Sequence, residues 1–188
     1  MSKGVKVIAV LLGIFLIFVM MLGGVYNSIM SKDETVSQKL SDISVQLERR
    51  ADLIPNLVNT VKGYVTHEEN VINSITRARE NLTKASTVED MAKANDELTS
   101  AINGLYVIVE NYPDLKTNTN FINLQDELAG TENRIAVARK DYNDAVSDYN
   151  KTIKSFPKNI VARMFNFTDK TYFESKSTAN EVPNVSFE

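Results

Sequence analysis

Apolar residues are distributed along this chain in two ways. From Val7 to Val25 they run without a charged or strongly polar interruption, "VIAVLLGIFLIFVMMLGGV". About 19 residues is close to the ~20 that cross the hydrocarbon of a bilayer, so this stretch predicts a transmembrane helix. A cleaved leader is the rival reading, but its apolar part should be shorter and end in a small-x-small site, and "LGGVYNS" holds no Ala-x-Ala. Beyond the run the spacing changes to alternating threes and fours. Val36, Leu40, Ile43, Leu47, Ala51, Ile54, Val58, Val61, Val65, Glu68, Ile72, Ile75, Arg79 and Leu82 form a heptad seam with two charged interruptions.

That seam predicts one helix from about Thr35 to Leu82, followed by a break at "TKAS" and a new start at "STVE" (86–89), which has the form of a capping box. The second helix carries Val88, Met91, Asn95, Leu98, Ile102, Leu105 and Val109 on one face and ends before Pro113. After the turn residues of "NYPDLKTNTN", a third begins near Asn120. Its seam runs Phe121, Leu124, Leu128, Thr131, Ile135, Ala138, Tyr142, Ala145, Tyr149, Ile153 and Phe156, and Pro157 halts it. "NIVARMFNF" (159–167) makes a short fourth helix, and the rest reads as a polar tail. No stretch alternates as a strand does.

The fold class expected is therefore all-α: an N-terminal transmembrane helix followed by an elongated antiparallel helical bundle of three long helices plus a short fourth. The expected divisions are a tail over 1–6, the transmembrane helix over 7–25, the bundle over 26–167 and a C-terminal tail over 168–188. Lengths pose a difficulty, because the three helices would measure roughly 70, 39 and 55 Å at 1.5 Å per residue. Either the "NYPDLKTNTN" connection runs extended, or part of the first helix is bare and available for association.

Pro55 poses another. Inside a helix it removes one hydrogen bond and crowds the carbonyl of Ala51, at a cost of about 3 kcal/mol. The freed carbonyl needs a donor, and Arg49 or Arg50 is long enough; their charge could instead pair with Asp52 or Glu132.

Composition narrows the chemistry. The chain has 188 residues, no cysteine, no tryptophan and one histidine, His67, which excludes disulfides, thiolate metal sites and cysteine nucleophiles. Net charge is −3; Lys3 and Lys6 precede the body, where 24 acids face 19 bases, and this gives no footprint for nucleic acid. "HEENV" has Val71 where a His-Glu-x-x-His zinc motif needs its second histidine, so a metal role for Glu68 or Glu69 has little support. Phosphate-loop, dinucleotide and esterase signatures are absent. No catalytic, metal or cofactor residue is expected. Lys3 and Lys6 oppose Lys32 and Lys39 across the apolar run, a slight bias toward a cytoplasmic N-terminus with the bundle outside the inner membrane.

Polar ladders flank the seams. Arg49, Asp52, Asn56, Asn59, Gly63 and Thr66 share one face of the first helix, and Gln125, Glu132, Arg139, Asn143 and Asn150 share a stripe of the third. Asparagine and glycine are poor choices for a face that only needs solubility. With Arg50 and Pro55, and without Gly63 and Thr66, these residues are the candidate interface or inter-helix polar ladder.

The stretches "VQLERRADLIPNLVNTVKGYVTHEENVINSITRAR" (45–79) and "ENYPDLKTNTNFINLQDELAGTENRIAVARKDYNDAVSDYNKTIKSFP" (110–157), with the closing "YFE…VPNVSF", resemble the bacterial LemA family. The resemblance implies a single-pass membrane protein with a helical bundle and no established enzymatic activity. It also implies neighbours of the HtpX metalloprotease kind or TPM-domain membrane proteins, and it assigns no functional residue. The expectation is a non-enzymatic scaffold that contacts lipid through residues 7–25 and forms a homo-oligomer or docks a membrane partner. The alternative is an adaptor of a membrane protease or envelope stress system that binds one-to-one.

Overall fold

A computed structural model describes residues 3–65 and 67–174. The expectations for residues 1–2, for Thr66 and for the tail from 175 on, including "VPNVSF", lie outside the described residues. Six helices follow in order: α1 (Lys3–Lys62), α2 (Glu69–Lys84), α3 (Val88–Val109), α4 (Pro113–Lys116), α5 (Thr119–Lys154) and α6 (Lys158–Met164), with no strand among the described residues.

Two differences from the sequence reading concern α1. The apolar run and the first body helix are one uninterrupted helix of 60 residues. That helix also ends at Lys62, about 20 residues short of Leu82. Gly63 carries a propensity penalty of about 1 kcal/mol, and β-branched Val65 follows within two residues. The chain tightens there, with Tyr64 N donating to Val61 O at 2.9 Å. The seam nevertheless runs on through the turn, because the reversed chain returns Ile72, Ile75 and Leu82 to a core, where all three are buried. This reversal removes the length difficulty, and the link from α3 to α5 has no need to run extended.

The remaining corrections are local. Thr87, one residue later than read, caps α3, its hydroxyl accepting from Asp90 N at 3.1 Å. "NYPDLKTNTN" contains the single turn α4, with Pro113 at its start, where a missing N–H costs nothing. Asn118 caps α5 by accepting from Phe121 N at 3.1 Å, while its amide donates to the Tyr64 hydroxyl at 2.8 Å.

The chain packs as two units, Met1–Ser41 with Lys140–Thr171 and Asp42–Arg139 with Tyr172–Glu188. The second is an up-and-down arrangement of four helical segments: the end of α1, α2, α3 and the start of α5. Ile43, Ile54, Leu57, Leu98, Leu105 and Ile135 are among its fully buried side chains. Each contributes about 1.5–3 kcal/mol, so Ile54 and Leu57 alone offset the cost of the exposed Pro55 between them.

In the first unit α5 runs antiparallel to α1, held by Lys32–Asp148 and Lys39–Asp141. The chain after α6, read as a polar tail, packs here as far as the unit extends. Asn150 is buried and takes the place of a backbone partner: its amide donates to Lys170 O at 2.9 Å and its oxygen accepts from Lys170 N at 2.9 Å. Lys170 reaches Asp33 at 2.7 Å, and the Tyr142 hydroxyl donates to Thr171 O at 2.8 Å. The apolar end of α1 has a mean hydropathy of 2.0 and is almost wholly exposed. By length and composition it is the one helix among the described residues able to cross a membrane.

Burial pushes the Tyr142 phenol above its ordinary value. The folded state therefore favours the neutral form, and that contribution is complete below about pH 10 and lost as pH rises through the raised value. Stability in denaturant should fall above about pH 10, and Tyr142→Phe should flatten that fall at a cost of about 1 kcal/mol at neutral pH, read from equilibrium unfolding of the two proteins.

Candidate functional site

One turn of α1 in the second unit touches every other long segment there. Arg50 is buried, and its Nη1 donates to Asn95 Oδ1 at 2.6 Å and to Thr99 Oγ1 at 3.0 Å, both on α3. The same nitrogen pairs with Glu132 on α5. Burial pushes the guanidinium down from its ordinary value, and Glu132, Tyr106 and Asp96 push it back up. Arginine keeps its charge under such stress. Burial pushes the Tyr106 phenol up, with Arg50 opposing.

The next residue along completes the node. Ala51 O, left without its helical donor by Pro55, accepts from Arg79 Nε on α2 at 2.9 Å. The donor is thus not Arg49 or Arg50, as the sequence suggested. A residue of the returning helix fills the role, and Arg79 had stood out only as a charged interruption of the seam. Arg50 and the Ala51 carbonyl together tie α1 to α2, α3 and α5.

The other ladder residues fall into two groups. Arg139 lies with its guanidinium carbon 5.0 Å from the centre of the buried Phe173 ring, a cation–π contact. Asn150 is the clip described above, and Asn143 is half-buried. Arg49, Asp52, Pro55, Asn56, Asn59 and Gln125 are exposed. Arg49 meets Glu127 at 3.6 Å, both largely in solvent, where such a pair contributes about 0–1 kcal/mol.

Asn56 and Asn59 open onto a surface groove of about 420 Å³, lined also by Thr60, Asn120, Asn123, Leu124 and Glu127. Four amides from α1 and α5 thus converge on it. Each offers a donor pair and an acceptor, a set suited to hydrogen-bonding polypeptide backbone or other amides. Among the described residues no cluster of three or more histidines, aspartates or glutamates is arranged to hold a metal. His67 is exposed, and Glu68 accepts from the Tyr112 hydroxyl at 3.2 Å.

The model of the LemA family matches residues 39–187, which includes every ladder residue and leaves out the apolar run. The chain belongs to the LemA family. Magnetosome protein MamQ 2 of Paramagnetospirillum magneticum is 26% identical over 184 residues, covering 84% of this chain and 67% of its own. MamQ of Magnetospirillum gryphiswaldense is 24% identical with the same coverage. Protein LemA of Metamycoplasma hominis is 25% identical over 174 residues, 90% of this chain and 76% of its own.

Sequence reasoning on this LemA chain missed Arg79, Asn95, Thr99, Asn120, Asn123 and Glu127. For Arg79 and Asn95 a signal existed: a polar residue at a seam position predicts a buried polar partner. The groove asparagines on α5 carried no such signal, since they sit off the seam beside turn residues.

Two outcomes follow for unfolding experiments. Arg50→Met should destabilise by about 3–5 kcal/mol, because it strands Glu132 and Asn95. Arg79→Ala should cost about 1–3 kcal/mol by orphaning Ala51 O, and the penalty should shrink in a Pro55→Ala background, where residue 55 regains an N–H for that carbonyl.

Proposed function

We propose that this LemA-family chain is a membrane-anchored, non-enzymatic helical scaffold that presents the amide groove between α1 and α5 to a second copy or to a membrane partner. The observation that carries this reading is the convergence of Asn56, Asn59, Asn120 and Asn123 on one open groove. Arg49, Arg50, Glu132 and Arg139 are taken up by contacts within the chain, while these four amides face the groove. An asparagine costs helix propensity wherever it sits exposed, so four of them lining one depression favour recognition over solubility.

The apolar stretch of α1 supplies the anchor, and because α1 is one helix from Lys3 to Lys62 the groove residues Asn56 and Asn59 stand on the anchoring helix itself. The lysine bias supports insertion in the inner membrane with the N-terminus cytoplasmic and the body extracytoplasmic. Of the three relatives described above, two are named magnetosome proteins and one protein LemA; neither name states a reaction. A one-to-one adaptor of a membrane protease is the second reading, favoured by the exposed Arg49–Glu127 pair at the groove edge.

The mass of the full-length protein in mild detergent separates these. Scaffolding predicts a defined oligomer that Asn59→Arg with Asn123→Arg reduces to monomer, with the unfolding midpoint unchanged. An adaptor predicts a monomer that crosslinks one partner in native membranes, lost on Arg49→Glu. A monomer that retains no partner would refute both.

A further inference from the structure

Outside the apolar end of α1, exposed hydrophobic bulk gathers in the first unit around α6. Phe156 is 82% exposed, Ile160 52%, Met164 62% and Phe165 51%. Ile160 and Met164 stand one turn apart on α6, with Phe156 just before the helix and Phe165 just after it. The opposite side buries Val161 and Ala162. A surface helix of a protein in water shows polar residues outward. Here the outward side is apolar, and the exposed Arg163 is the basic residue that borders it.

Its position adds the second observation. The pairs Lys32–Asp148 and Lys39–Asp141 step seven residues up α1 for seven down α5, and the same step brings Lys154 level with Tyr26 and Phe156 level with Gly24. The chain past α6 returns to the same level, with the Phe165 and Phe167 rings 4.8 and 5.7 Å from that of Tyr26. Tyr26 is the residue that follows the apolar run. Aromatic side chains concentrate where hydrocarbon meets headgroups.

From this we infer that α6 is a second membrane contact: Phe156, Ile160, Met164 and Phe165 lie in the headgroup–acyl boundary of the bilayer that the apolar end of α1 crosses, with Arg163 at the lipid phosphates. The inference rests on the anchor reading above. It adds a collar at the membrane surface, and two contacts at one level hold α1 and α5 at a set angle to the bilayer, where a single helix alone would leave the body free to tilt.

The absence of tryptophan from the chain makes a direct test available. Full-length Phe156→Trp, Phe165→Trp and, as a reference, Leu16→Trp are reconstituted singly in phosphatidylcholine–phosphatidylglycerol vesicles containing brominated lipid. Expected is emission at short wavelength with about twofold quenching at positions 156 and 165, stronger with bromine near the headgroups than at the chain ends, and the reverse order at position 16. Solvent-like, unquenched emission at 156 and 165 with position 16 quenched would overturn the collar and leave the anchor standing. Short-wavelength emission at 156 and 165 without quenching would also overturn it, assigning the surface to a second copy or another protein. An unquenched position 16 would overturn the anchor and the collar together.

Discussion

The arrangement of the bundle unit depends on a single turn of α1 in which a buried cation and a freed carbonyl sit on consecutive residues. Arg50 reaches Asn95 and Thr99 on α3 and Glu132 on α5, while Ala51 O receives Arg79 from α2. Apolar burial supplies most of the free energy, but Ile and Leu seams tolerate sliding by a turn at modest cost. A buried guanidinium does not, because any register that separates it from Glu132 and Asn95 leaves an uncompensated charge, at several kcal/mol. Pro55 acts in the same sense: by removing a helical donor it makes Ala51 O demand one from outside, and only α2 at the correct height provides it.

The same logic recurs in the first unit with neutral groups. Asn150 offers its amide to both backbone groups of Lys170 and thereby holds an extended, otherwise irregular segment against α5. The Lys170 ammonium then reaches Asp33 on α1 and lies 5.6 Å from the centre of the Tyr149 ring. An asparagine in a helix interior is costly for the helix alone and favourable once it satisfies two buried partners. The ladder residues thus divide by neighbourhood. Those facing another segment become registers and clips, while Asn56 and Asn59 face solvent at the groove.

Much of this was legible in the residues. A 3-4 spacing identifies helices regardless of context, so the all-α class, the apolar run, the approximate limits of α3 and α5 and most buried positions of the seams follow from local pattern, and the family resemblance agrees with the match over residues 39–187. The reversal at Gly63 was not legible, because the heptad phase continues through it: residues on both sides face a core, and periodicity records facing without recording direction. The donor for Ala51 O was assigned to a neighbour in sequence when it comes from 28 residues away, since a side chain's reach along its own helix is readable and its reach across a fold is not.

What the sequence by itself determined is which residues are helical, which faces are apolar, and that a charge and a proline stand where a helix pays for both. Only the tertiary structure decided which of the polar residues meet. Hydrophobic burial is non-directional and can be read from a one-dimensional pattern, whereas hydrogen bonds and ion pairs depend on distance and angle between segments. Those quantities exist only after the chain has turned back on itself.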